Sequence, residues 1–142
     1  MTTCRALLWI LAMSVVSSAS ALACQCVQRP DVEAEFARSA AVFLGTATSD
    51  VRVANGIGTS SFSVEVVFKG DVPPATVVRT GGRGSCGIRF ASGTRYLVYA
   101  RRETDGGWFT NICTRTVELA GGWEDIAWIE AMRKTHPNGA AR

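Results

Sequence analysis

The chain has 142 residues, 47% of them hydrophobic and 19% charged, with a formal net charge of +3. That length suits one domain around one core. The positive excess is too small to argue on its own for nucleic acid or an anionic membrane as partner. No internal repeat, second domain or low-complexity linker interrupts the pattern.

The first segment reads as an address. Arg5 supplies a short positive region, Ala6 to Val16 an apolar run, and Ser17 to Ala23 a stretch of small residues ending in Ala21-Leu22-Ala23. This is the layout of an export signal with an Ala-x-Ala cleavage site. The run is too short for a permanent membrane span, and no second hydrophobic stretch follows it. Residues 1–23 are therefore expected to be a signal peptide. Cleavage after Ala23 leaves 119 of the 142 residues and a net charge of +2, since Arg5 is the one charge removed. The product is expected to be secreted or periplasmic, with no membrane span.

Cleavage also removes Cys4 and leaves four of the five cysteines: Cys24, Cys26, Cys86 and Cys113. An even number in an exported chain implies two disulfides, for which three connectivities exist and between which counting does not choose.

After Cys24-Gln25-Cys26, Pro30 and an acid-rich first turn predict a short helix over Asp31 to Arg38. Strands are predicted at Ala41 to Val53 and along Phe62, Val64, Val66 and Phe68, whose period of two puts them on one buried face. Lys69-Gly70-Asp71 and Pro73-Pro74 end that strand. A third strand is expected over Thr76 to Thr80 and a fourth over Arg95 to Arg101. Asp105-Gly106-Gly107 then signals a hairpin into a fifth strand, Trp108 to Thr114. Trp123, Ile126, Ala127 and Ile129 fall at helical spacing, with Glu130 and Lys134 available as an i,i+4 pair. Residues 136–142, from His136 on, read as a flexible tail. Five short strands with helices confined to the ends argue for a mainly β fold, a small barrel over residues 24–135.

Most catalytic readings find little footing. His136 is the sole histidine and has no nucleophile–base constellation around it, so an enzyme is not expected. The carboxylates show no metal-loop spacing. The four cysteines lack the paired short knuckles of a zinc site, and no thioredoxin-like βαβ pattern surrounds Cys-x-Cys. Gly81 to Gly87 lacks a Gly-Lys-Ser/Thr ending and opens no helix, which disfavours a phosphate loop; its glycines suit close passage beneath the N-terminal segment. Arg79, Arg83, Arg89, Arg95, Arg101, Arg102 and Arg115 are read as solvated barrel surface. Trp108, Trp123 and Trp128 are read as packing residues.

One set of landmarks is more specific: Cys24-Gln25-Cys26, Ala41-Val42-Phe43-Leu44-Gly45, Val67-Phe68-Lys69-Gly70, Ser85-Cys86-Gly87, Gly93-Thr94-Arg95-Tyr96-Leu97-Val98 and Cys113. Their content and order resemble the inhibitory N-terminal, netrin-like domain of the tissue inhibitors of metalloproteinases, in a bacterial-type, single-domain form. The resemblance implies a five-stranded OB-like Greek-key barrel with a short N-terminal helix, a C-terminal helix and the disulfides Cys24–Cys86 and Cys26–Cys113. It also implies a function. The backbone amine and carbonyl of Cys24 would chelate the catalytic zinc of a target metalloendopeptidase, with Gln25 entering the specificity pocket. Cys26, Val27, Gly84, Ser85 and Cys86 would complete an inhibitory ridge. The chain would then be a monomer with no cofactor of its own, the zinc belonging to its protein partner. The resemblance is incomplete: the family's third disulfide and second, cysteine-rich domain have no counterpart, and Gln25 stands where Thr or Ser is usual. Two alternatives remain open: a non-inhibitory binding module for an envelope protein or glycan, and an envelope protein lipid-anchored through Cys24.

Overall fold

The computed structural model describes Cys24, Cys26, residues 28–82, Gly84 and residues 86–135. The expected signal and the expected tail, His136 included, lie outside the described residues. Helix α1 (Val32–Arg38) leads into strands β1 (Ala41–Ala47), β2 (Arg52–Ala54), β3 (Ile57–Lys69), β4 (Ala75–Gly81), β5 (Arg95–Arg102), β6 (Trp108–Phe109) and β7 (Val117–Glu118). A single 3₁₀ turn, Leu119–Gly121, precedes helix α2 (Trp123–Thr135). Five strands close on themselves in the order β1-β3-β4-β6-β5, with β5 pairing back to β1. Strand β2 hangs on β3, and β7 on the outer edge of β5. The fold is a mainly β, closed five-stranded barrel with a helix near each end.

Two apolar layers explain why β1 and β5 read as nearly continuous hydrophobic runs. Ala41, Phe43, Ala47, Tyr96, Val98 and Ala100 point into the barrel, where they meet Phe62, Phe90 and Trp108. The alternate residues Val42, Leu44, Leu97 and Tyr99 point outward, under Phe36 of α1 and Ile126 and Ile129 of α2. Both faces of this strand pair are buried, so a simple inside–outside alternation is lost. In the interior, Phe62 meets Phe43, Phe90 and Tyr96 edge to face, with ring centroids 5.0–6.1 Å apart, an arrangement favoured by the aromatic quadrupole.

Several boundaries differ from expectation, each for a local reason. The predicted strand over residues 41–53 breaks after Ala47. There Ser49 turns the chain, accepting from Ser60 Oγ at its carbonyl (2.7 Å) and from the Ser61 amide at its hydroxyl (3.0 Å). Phe62, Val64, Val66 and Phe68 do not share a face. Register jumps opposite Val42/Phe43 and Leu44/Gly45 leave Phe68 and Glu65 as bulges in β3. Phe62 stays inside the barrel, Phe68 moves to the outer layer and Val66 is exposed. A bulge re-aims the side chains beyond it. In α2, Trp123 is 61% exposed and Ala127 is also exposed, while Asp125 takes an inward position beside Ile126 and Ile129. Glu130 and Lys134 form no ion pair among the described residues.

Helix α1 is only seven residues long and depends on its ends. Asp31 caps the first turn by accepting from the Ala34 amide at 2.7 Å. At the other end Lys69 Nζ donates to the Phe36 and Ala37 carbonyls at 2.7 and 2.8 Å and lies 5.2 Å from the Phe36 ring centre. Phe36 in turn packs edge-on to Trp128 of α2. The Lys69→Met variant keeps the apolar stem but removes both charge-assisted bonds. It should lose about 2 kcal/mol by urea unfolding; an unchanged midpoint would show that α1 does not need this cap.

Candidate functional site

Cys24 is bonded to Cys86 and Cys26 to Cys113, with Cα–Cα separations of 5.3 and 5.2 Å. These are the pairings that the resemblance implies. They bridge 62 and 87 residues, and the chain-entropy estimate for loops of that size is on the order of 4 kcal/mol each, taken separately. The two bridges are neighbours, because the Ile112 amide donates to the Cys86 carbonyl at 3.0 Å immediately before Cys113. Of the ridge residues expected from the sequence, Cys24, Cys26, Gly84 and Cys86 are thus gathered at one edge of the barrel. Gln25, Val27 and Ser85 lie outside the described residues, as does Arg83.

The loop that carries Cys86 is held by backbone proximity. A Cβ on Gly87 would sit 1.8 Å from the Gly81 carbonyl oxygen, so only glycine lets the chain fold back on the end of β4. The Ile88 amide then donates to Thr80 Oγ1 at 2.8 Å. Gly84 and Cys86 both have left-handed backbone, at φ 81° and 50°. The near neighbours of Gly87 and Gly82 are the backbones of Gly81 and Gly56, and the N-terminal segment reaches the loop through the Cys24–Cys86 bond.

Cys113 was expected within a fifth strand, but β6 ends at Phe109 and Cys113 lies in a turn. Asn111 is the cause. Its side-chain oxygen accepts from the Cys113 amide at 3.0 Å and its carbonyl from the Thr114 amide at 3.1 Å, a local closure that competes with strand pairing. A hydroxyl chain runs inward from the partly buried Thr114 to the buried Thr110 and Thr116, the last of which receives the Tyr99 amide at 2.9 Å. Arg115 forms an ion pair with the buried Asp125 and donates through Nη1 to the Pro30 carbonyl at 3.1 Å. Asp125 also accepts from the Tyr99 hydroxyl at 2.8 Å. Burial, and then the bond to Asp125, push the Tyr99 hydroxyl far above its ordinary pKa, so it remains a donor.

Beside the Cys113 turn lies a cleft of about 260 Å³, lined by Glu35, Arg38, Arg101 and Asn111 together with Tyr99 and Cys113. Glu35 is almost fully buried. Its Oε1 accepts a long 3.4 Å bond from Ser39 Oγ, and its Oε2 lies 2.5 Å from the half-exposed Arg38 guanidinium.

The arginines do not form one basic face. Arg79 pairs with Glu103 and Asp105, Arg95 with Glu65, and Arg115 with Asp125. Arg101 and Arg102 lie over Phe109 and Trp108. The bonds from Arg95 and Thr46 hold the Glu65 carboxyl below its ordinary range. Trp108 is buried and Trp128 packs on Phe36, whereas Trp123 is exposed and is not a packing residue. Sequence reasoning missed Arg115 and Asp125 as a pair, and Ile112 as an exposed apolar residue beside both bridges. An acid in the apolar stripe of α2, directly before Ile126, was the available signal for the first. Nothing in the spacing marked the second.

Among the described residues no group of three or more His, Cys, Asp or Glu could hold a metal, and no helix is long and apolar enough to cross a membrane. The two disulfides are compatible with an extracellular or periplasmic protein. No family model matches the chain, and no curated protein matches it.

Replacing Gly87 by Ala should disrupt the Cys86 loop, costing more than about 2 kcal/mol, so that in protein refolded from the reduced state part of the Cys24 and Cys86 thiol stays unoxidised and titratable. Gly84→Ala, which meets open space but keeps a left-handed backbone, should cost only about 1–2 kcal/mol and leave the bridge closed. Equal effects of the two changes would contradict this account of the loop.

Proposed function

We propose that the chain is an exported inhibitor of a zinc metalloendopeptidase and acts through a terminus that begins at Cys24. The observation that carries this reading is the double clamp. Cys24 and Cys26 are each bonded to a different part of the barrel edge, so a terminus starting there would be rigid before it met a partner. Rigidity of that kind lowers the ordering entropy lost on binding. An α-amino nitrogen and the carbonyl oxygen of the same residue form a five-membered chelate. Catalytic zinc sites leave a coordination position to water, so the Cys24 pair would take the place of the hydrolytic nucleophile. Gln25 would enter the specificity pocket, and Val27, Gly84 and Ser85 would widen the contact.

The amine must be unprotonated, with its lone pair free to bind zinc, which sets the pH dependence. The reference pKa of an α-amino group is about 7.7–8.0. Below that value protons compete with zinc, so affinity should rise up to about tenfold per pH unit between pH 6 and 7.5 and flatten above pH 8. Inhibition that weakens over the same interval, with the protease itself unchanged, would contradict an amine ligand.

The decisive variant carries one extra Ala before Cys24. It keeps both disulfides and the whole ridge but moves the amine one residue away. Against a panel of zinc proteases it should lose at least about a hundredfold in inhibition constant relative to the chain starting at Cys24. Equal inhibition by the two forms would rule out chelation. The cleft at Glu35 and Asn111 favours the second reading, a non-inhibitory module that binds an envelope protein or glycan there. Such a module would bind its ligand equally well with or without the added Ala.

A further inference from the structure

We infer that Arg115 is a positioning residue through which the C-terminal helix α2 sets the stance of the disulfide-bonded N-terminal segment. The guanidinium has three attachments. Nε and Nη2 donate to the two carboxylate oxygens of Asp125 in α2, the first at 2.7 Å, and Nη1 donates to the Pro30 carbonyl at 3.1 Å. Pro30 follows Cys26 by four residues and directly precedes Asp31, the cap of α1. Cys113, which holds Cys26, precedes Arg115 by two residues. The span from Cys26 to Pro30 is therefore fastened at both ends by one turn, covalently at one end and by Arg115 at the other.

Asp125 makes this a relay rather than a surface contact. It is 2% exposed and also accepts from the Tyr99 hydroxyl, whose own side chain is fully buried on β5. The planar fork of arginine satisfies a carboxylate with two donors and still has a third to offer. If α2 leaves its place, the guanidinium loses both fixed acceptors, and the Pro30 carbonyl loses a donor held in one position. A lysine at 115 would keep the charge but lose the planar fork, so that a single ammonium would have to serve carboxylate and carbonyl in place of three separate N–H donors.

Arg115→Lys and Asp125→Asn test the relay, with Ile129→Val as the control that trims α2 packing without touching it. Two rates are read on the oxidised protein: reduction of Cys26–Cys113 by dithiothreitol, and hydrogen exchange at the Ala34 and Glu35 amides of the first turn of α1. Both relay variants should accelerate both rates about tenfold, while Ile129→Val changes them less than twofold. No acceleration in Arg115→Lys, or an equal acceleration in Ile129→Val, would overturn the inference, since a merely stabilising ion pair has no preference for this segment. The consequence for inhibition rests on the proposed function: Arg115→Lys should weaken inhibition of a susceptible zinc protease about tenfold, and unchanged inhibition would overturn that consequence. A wild-type chain that inhibits no zinc protease would defeat the proposed function, while the two rates would still decide the relay.

Discussion

The turn from Thr110 to Thr116 is the constraint on which the candidate edge depends. Within seven residues it bonds Cys86 through the Ile112 amide, Cys26 through Cys113, Pro30 and Asp125 through Arg115, and β5 through Thr116. Without it the first described residues would be joined to the barrel only through the Cys86 loop. That loop has its own left-handed residues and a glycine pressed against Gly81. The N-terminal edge is therefore held by covalent bonds whose partners are themselves locked by hydrogen bonding.

The barrel makes this arrangement possible because its layers divide the labour. Its interior is filled by aromatic and small aliphatic side chains, which supply the apolar burial of a small domain. The outer layer packs two helices against β1 and β5, and one of those helices brings Asp125 to Arg115. Charges elsewhere pair locally, Arg79 with Glu103 and Asp105 and Arg95 with Glu65. What remains distinctive is the polar, cystine-rich edge and the cleft beside it.

Much of the architecture was legible in residue patterns. A period-two run located β3, the apolar run Tyr96-Leu97-Val98-Tyr99 located β5, Asp105-Gly106-Gly107 marked the β5–β6 turn, and acids after Pro30 marked α1. The limits of legibility are physical. Bulges at Glu65 and Phe68 are set by cross-strand register, which no single strand carries in its own spacing. Asn111 closed a turn where apolar neighbours suggested a strand. Asn55-Gly56, a strong two-residue hairpin signal, lies just past the end of the expected 41–53 strand and closes the hairpin between β2 and β3. At the site, the cysteines were conspicuous, whereas Arg115 looked like any surface arginine until Asp125, ten residues on, was found buried beside it.

The functional reading turns on chemistry at one nitrogen. A disulfide framework alone makes a stable barrel; a disulfide framework with an unmodified amine on Cys24 makes a preordered bidentate ligand. Lipid attachment at the same residue would acylate that nitrogen and remove its lone pair from chelation. The most direct measurement is intact mass with N-terminal sequencing of the exported protein under non-reducing conditions. The account predicts a chain that begins at Cys24, carries a free amine and has all four cysteines oxidised. An acylated Cys24, or a mature chain that begins upstream of it, would contradict the account.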